Sequence, residues 1–392
     1  MEKLKYLIKY SPIIYSIYYY VFSAFFRVLG LFVKIDKQLI LFNSFGGRKY
    51  DDSPKAIFEY MLQDDRFKDY KFVWGLNEPN KFDIPSRAIV VNVNSFKYFI
   101  YALKAKIWIT NSSIERGLCF KKKDTIYINT WHGTAIKYLG NDIGEQNKSF
   151  KGEDSKVDIF FSQGSYDEKV FKSAFCKTNE DLFRFGLPRN DELANCDYET
   201  SIAIKKKLNI PLEKKIILYA PTFREYTKNK SNQVMLNVPI NFETWQETLG
   251  ENIVILFRAH YEVAKLLNVL NYDFVYDVSK YPSLNELMII SDVLISDYSS
   301  IFFDFSILHK PMLCYAYDYD LYTEKRGMYI DLKKELPCKV CETETELLNE
   351  ILNVFDNYNL NCIATKKFQE KYIEEYGNAS HKICDYLIKY LT

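Results

Sequence analysis

From Leu39 onward, short apolar runs rich in β-branched and aromatic residues alternate with stretches of helical period, the pattern of parallel strand-helix units. The runs predict strands over 39–43, 72–76, 88–91, 107–110, 125–129 and 159–162 in the first half, and over 216–220, 253–258, 274–276, 293–296 and 312–315 in the second. Between the halves, residues 187–215 are polar and charge-rich and hold Pro188 and Pro211, which places the crossover there. After Leu347 the apolar positions Leu348, Ile351 and Val354 recur at helical spacing, so the tail reads as helices. The expectation is an α/β fold with two Rossmann-like domains facing a cleft, over 38–200 and 201–392, with ligands at the carboxyl ends of both sheets.

Residues 13–33 differ from the rest. They approach the length of a bilayer span, carry only Arg27 among charged residues, and are crowded with tyrosine and phenylalanine. A span would bury Arg27 and tyrosine hydroxyls that prefer the headgroup layer, so an amphipathic helix lying in the membrane surface suits the composition better. Lys3, Lys5, Lys9, Arg27, Lys34 and Lys37 outnumber Glu2 and Asp36, which favours anionic headgroups. Residues 1–37 are therefore expected to attach the protein peripherally to a membrane, leaving the body in the cytosol.

Overall charge adds an exclusion: 52 lysines and arginines against 51 acids leave no basic field for nucleic acid. The 32 tyrosines and 29 phenylalanines against 14 glycines describe a packed chain. Eight scattered cysteines, with no secretory signal before them, read as reduced thiols. The pair Cys338 and Cys341 lacks further soft ligands at zinc-site offsets.

No phosphate-loop, dinucleotide or zincin motif occurs. Instead, polar clusters follow directly on expected strands, which is the ligand edge of an α/β sheet. Asn129-Thr130-Trp131-His132-Gly133-Thr134, with Lys137 beyond, offers a histidine able to take a proton near neutral pH; its rival reading is a turn histidine bonded to a backbone carbonyl. Arg258-Ala259-His260 sets two cation-capable side chains on one side of a strand end, a clamp for a diphosphate or an ordinary strand-end ion pair. Ser296-Asp297-Tyr298-Ser299-Ser300 opens an apolar helix, where hydroxyls and free amides hold an anion or simply cap. Thr222 and Arg224 follow another strand, and Arg326-Gly327 ends a tyrosine-rich loop. Asp318-Tyr319-Asp320 has metal-binding spacing but reads as surface, and His309 and His381 as structural.

Taken in order, Thr130 to Thr134 with Lys137, Gly186-Leu187-Pro188-Arg189-Asn190-Asp191, Ala220-Pro221-Thr222-Phe223-Arg224, Arg258-Ala259-His260, Ser296 to Ser300 with Phe303-Asp304, and Lys310-Pro311 through Arg326-Gly327 resemble the motif set of the CDP-glycerol glycerophosphotransferases. Leu41 to Gly47 with Asp52-Ser53-Pro54-Lys55 is similar to that family's N-terminal signature. The resemblance implies a glycosyltransferase-B-like fold with an acceptor-side first half and a CDP-binding second half, acting in teichoic acid or capsule-type polymer synthesis at the cytoplasmic face of the plasma membrane. It implies His132 as general base and His260 as a second catalytic histidine at the phosphates. Thr222, Asp297, Ser299, Ser300, Arg258 and Arg326 fall to the donor, and Thr134 and Lys137 to the acceptor or phosphate side. The expected partners are a CDP-linked polyol and a lipid-linked glycan or polyol-phosphate acceptor, with CMP released and no metal or other cofactor required. Tyr261, where some members have proline, leaves a CDP-ribitol enzyme as the nearest alternative. A nucleotide-sugar glycosyltransferase of the same fold and a binding module without catalysis are the others. Polymerising members often carry a longer N-terminal extension, so the length leans toward addition of one or a few units.

Overall fold

The computed structural model describes residues 11–144, 156–222, 224, 239–259 and 272–391. The chain divides into two compact units, Met1–His132 with Gly140–Asp191 and Glu375–Thr392, and Gly133–Leu139 with Glu192–Glu374.

The first unit is a seven-stranded parallel sheet of β1 (Asp36–Asn43), β2 (Lys71–Leu76), β3 (Ala88–Asn92), β4 (Ala105–Thr110), β5 (Ile126–Asn129), β6 (Ile159–Ser162) and β7 (Leu182–Arg184), ordered β3-β2-β1-β4-β5-β6-β7. Period-two alternation divides β1 between two cores. Ile40 and Phe42 join Ile57, Phe58 and Trp74 on one face, while Leu39 and Leu41 join Val73, Trp108 and Phe120 on the other. In the register, Phe42 lies opposite Trp74 on β2 and Ile109 on β4.

The second unit is a six-stranded parallel sheet of β8 (Lys215–Tyr219), β9 (Ile253–Phe257), β10 (Val275–Asp277), β11 (Val293–Ser296), β12 (Met312–Tyr315) and β13 (Val340–Cys341), ordered β10-β9-β8-β11-β12-β13. Counted within the unit, this is the 3-2-1-4-5-6 order of a doubly wound nucleotide-binding sheet. Its core gathers Ile217, Tyr219, Trp245, Phe257 and Leu347.

Two strands were not expected from the sequence, β7 and β13, and both are short edge strands of three and two residues. The tyrosine-rich loop expected before Arg326 is the helix Tyr319–Arg326, closed by Gly327 at φ 65°. The partition also departs from the expected spans. The crossover falls after Asp191, and the terminal helix Ala379–Leu391 belongs with the first unit. Its Ile383, Cys384 and Leu387 are wholly buried against that unit's sheet, and Asp191 accepts from its first free amides, Ala379 and Ser380, both at 2.8 Å.

The N-terminal helix Pro12–Phe32 starts where the sequence breaks to Ser11-Pro12, with Ser11 as cap and proline in the first turn. Tyr19, Ser23, Phe26 and Gly30 recur at helical spacing on its buried face. Phe26 stacks on Phe99 at 4.4 Å between centroids, Ser23 accepts from the Cys119 amide at 2.9 Å, and Arg27 Nε donates to the Cys119 carbonyl at 2.8 Å. The opposite face bares Ile13, Ile17, Val21, Val28, Leu31 and Phe32, the last two about four-fifths exposed at 81% and 80%.

Candidate active site

In the first sheet the connections reverse between β1 and β4, so the carboxyl ends of these strands form the switch-point crevice. Asn111 follows β4 directly. Its side-chain oxygen accepts from the Phe45 amide at 2.7 Å, tying the ends of both strands together. One strand further on, Asn129 donates to the Ser112 carbonyl at 2.9 Å and accepts from the Trp131 amide at 2.8 Å, which aims the turn carrying His132. Trp131 is held at φ 53° and Gly133 at φ 136°, so the half-buried histidine sits on a sharply bent backbone.

His132 Nδ1 lies 3.0 Å from the Asn111 carbonyl oxygen. A carbonyl can only accept, so Nδ1 carries the proton and the neutral ring presents its lone pair at Nε2. Burial holds the imidazole pKa below its ordinary 6.5; the Asn111 bond and Asp52 oppose that shift, while Arg189 and Arg48 add to it. The ring is therefore neutral at neutral pH. The backbone bond that made a turn histidine the rival reading is present, and it is also what fixes the tautomer a base requires.

The second switch point lies between β8 and β11, and there Thr222 and Asp297 meet. Asp297, 1% exposed, accepts from the Thr222 and Tyr298 amides at 2.9 and 2.7 Å through one oxygen. Its other oxygen accepts from Arg224 Nη1 at 2.9 Å. Arg224 also donates to the Thr222 carbonyl at 2.7 Å and doubly to Asp318, and its guanidinium lies against the rings of Tyr298, Tyr317 and Tyr322. The Thr222 backbone is gripped from both sides, while its buried hydroxyl has no partner among the described residues. A buried hydroxyl of that kind costs free energy while it is unmet.

The remaining expected residues divide. Asp297 is consumed in organising the loop, its oxygens taken by the Thr222 and Tyr298 amides and by Arg224. Ser299 Oγ accepts from the Ile301 amide at 3.3 Å, the capping role, and Ser300 is the half-buried residue preceding the helix Ile301–Ser306. Arg258 follows β9 and donates to the Val278 and Tyr281 carbonyls at 3.0 and 2.7 Å, bracing that loop. His260 lies outside the described residues. Arg326 ends its helix, half-buried. Thr134 is buried, and Lys137 pairs with Met328 in a β-bridge with its ammonium 6.0 Å from the Tyr322 ring centre. His309 and His381 face Gln369 and Asp385, and Asp318 is occupied by Arg224 and the Tyr298 hydroxyl.

Asn111, Asp52, Arg189 and Arg224 had no assigned role in the sequence. Asn111 was detectable by the same rule as the others, since Asn111-Ser112-Ser113 is a polar cluster straight after a strand.

Over residues 24–389 the chain matches the family described as CDP-Glycerol:Poly(glycerophosphate) glycerophosphotransferase. A teichoic acid glycerol-phosphate transferase of Staphylococcus aureus is 36% identical, covering 90% of this chain and 94% of its own length. A teichoic acid poly(glycerol phosphate) polymerase of Bacillus spizizenii is 34% identical over 98% of this chain and 100% of its own, so chain length says nothing about how many units are added. The solved wall teichoic acid polymerase TagF superposes with a TM-score of 0.84 at 32% identity, covering 94% of this chain and 93% of that one. The UDP-GlcNAc 2-epimerase of Neisseria meningitidis, 12% identical with a TM-score of 0.55 over 90% of this chain and 99% of its own, shares the fold alone. With two parallel sheets of the expected class, polar strand ends in the expected places and relatives matched along nearly their whole length, the chain belongs to the CDP-glycerol:poly(glycerophosphate) glycerophosphotransferase family.

Proposed function

We propose that the protein transfers glycerol phosphate from CDP-glycerol to a hydroxyl of a lipid-linked acceptor in teichoic acid synthesis, with His132 as general base. The observation that carries this is the fixed tautomer of His132, whose Nε2 lone pair is directed by the Asn111 carbonyl and kept unprotonated by burial. The acceptor hydroxyl gives its proton to Nε2 while its oxygen forms a bond to the distal phosphorus of CDP-glycerol. The bridging P–O bond breaks on the opposite side, and its electron pair leaves with CMP. Thr222 receives the diphosphate through a hydroxyl already dehydrated and a backbone already immobilised, so little reorganisation remains for the transition state. Ser299, Ser300 and His260 complete the donor side, and Thr134 and Lys137 the phosphate side.

The helix Pro12–Phe32 holds the enzyme on the cytoplasmic membrane surface. Its length and composition would permit a span, but Arg27 is bonded to Cys119 and Phe26 is stacked within the first unit, so one face is committed to protein and the other is left for lipid. Glycerol rather than ribitol follows the relatives reported above, which carry glycerol phosphate in their names. The test is a donor panel. CMP release from CDP-glycerol, with CDP-ribitol and UDP-sugars as poor competitors, supports the reading; release of UDP from a nucleotide sugar overturns it.

A further inference from the structure

Two sequence motifs have no part in the transfer as described, Asp52-Ser53-Pro54-Lys55 and Gly186 to Asp191. Both converge on His132. Arg189 Nη1 donates to Asp52 Oδ2 at 2.8 Å and to the main-chain carbonyl of His132 at 3.0 Å. The Arg189 amide faces Ser53 Oγ at 3.4 Å, and the other Asp52 oxygen accepts from the Ser53 amide at 2.7 Å. The pair is nearly sealed, with 5% of the Asp52 side chain and 16% of the Arg189 side chain exposed. Asp52 at φ 65° and Trp131 at φ 53° are both left-handed without being glycine. Such backbone persists only where its surroundings hold it, and this chain of bonds runs from one bent position to the residue after the other.

We propose that Asp52 and Arg189 form a positioning clamp for His132, fixing the main chain of the base while Asn111 fixes its ring. The clamp rests on the reading of His132 as general base. Neither residue needs to touch substrate. Both bonds leave a single guanidinium nitrogen, Nη1, and a lysine ammonium on its shorter stem does not put a donor at the same point, so Arg189→Lys is not a conservative change here.

The clamp also sets the charge around the base. Among the described residues, the charged groups acting on His132 are Asp52, Arg189 and Arg48. Removing Arg189 takes away a cation that disfavours the imidazolium, so the acidic limb of kcat in Arg189→Met moves to higher pH. Removing the Asp52 charge takes away an anion that favours it, so the limb in Asp52→Asn moves to lower pH. A residue that merely supports the fold would not shift the two profiles in opposite directions.

The experiment measures kcat and KM for CDP-glycerol against pH in the full chain for Asp52→Asn, Arg189→Met, Arg189→Lys, the double variant Asp52→Asn/Arg189→Met and His132→Gln, with thermal melts beside them. The clamp predicts that kcat falls about tenfold to a hundredfold in the Arg189 variants, the scale of losing a partner that orients a functional histidine. KM stays within about twofold, because ground-state donor binding is untouched. The double variant loses no more than the worse single one, since the two residues act as a unit. Should Arg189→Met fail to fold, Arg189→Lys and Asp52→Asn carry the kcat test, and the limb of Asp52→Asn, expected at lower pH, carries the charge test. Wild-type kcat in those variants, or limbs that move together, with His132→Gln inactive, overturns the clamp and leaves the base in place. Full activity in His132→Gln overturns both.

Discussion

At the scale of single residues, the two sheet edges solve different problems. The His132 edge sets a tautomer, and the Thr222 edge immobilises a backbone around a buried ion pair. Asp297 and Arg224 expose 2% and 1% of their side chains, so breaking the pair leaves an uncompensated charge in a place water does not reach. Asp297→Ala is expected to cost about 3–5 kcal/mol, seen as a lowered melting temperature, and to raise KM for CDP-glycerol as Thr222 loosens. An unchanged melting temperature would remove Asp297 from this role. His132, Thr222 and Asp297 were legible because each follows a strand end. The bracing role of Arg258 was not, because its acceptor carbonyls at Val278 and Tyr281 lie about twenty residues along the chain and only folding brings them close. Asp318 was misleading for the same reason: its acidic spacing is visible in the sequence, but Arg224, which occupies it, is 94 residues away.

At the scale of elements, β-branched and aromatic runs located the central strands to within three residues, the widest miss being the polar start of β1 at Asp36, since a strand buried on both faces has no polar alternation to blur its ends. Edge strands such as β13 are too short to show a period at all, and Tyr319–Arg326 is so polar that its helical stripe reduces to Tyr322. The N-terminal helix has the opposite character, with one face packed on the protein and the other bare and apolar. Replacing Val21, Val28 and Leu31 with serine should weaken sedimentation with phosphatidylglycerol vesicles while leaving the melting temperature unchanged, because all three are more than half exposed, at 57%, 57% and 81%. Phe26→Ala should do the reverse and cost about 3 kcal/mol of stability, the usual loss for a buried ring. Unaltered vesicle binding in the triple variant would show that the exposed face is not the lipid contact.

At the scale of the whole molecule, helical periodicity found the C-terminal helices but could not tell which sheet they cover. Ile383 and Leu387 carry no label of their partner; the Asp191 carboxylate at the helix start and the Arg66 to Asp385 contact at 2.6 Å make that choice. Burying an isoleucine and a leucine is worth about 1.5–3 kcal/mol each, so a chain ending at Glu374 should show faster hydrogen exchange in the helix Asp52–Gln63 and its sheet than in the second unit. Equal exchange in both units would contradict that dependence. The central claim, a transferase with a histidine base, is tested most directly by CMP release from CDP-glycerol with a lipid-linked acceptor, comparing wild type with His132→Ala across pH. The expected wild-type rate rises with pH along a limb lying below 6.5, because burial lowers the imidazole pKa and only the neutral ring accepts a proton. The variant is expected to lose at least about a hundredfold, the scale of a general base, and the limb with it. Acceptor-dependent CMP release that survives at full rate in His132→Ala would contradict the account.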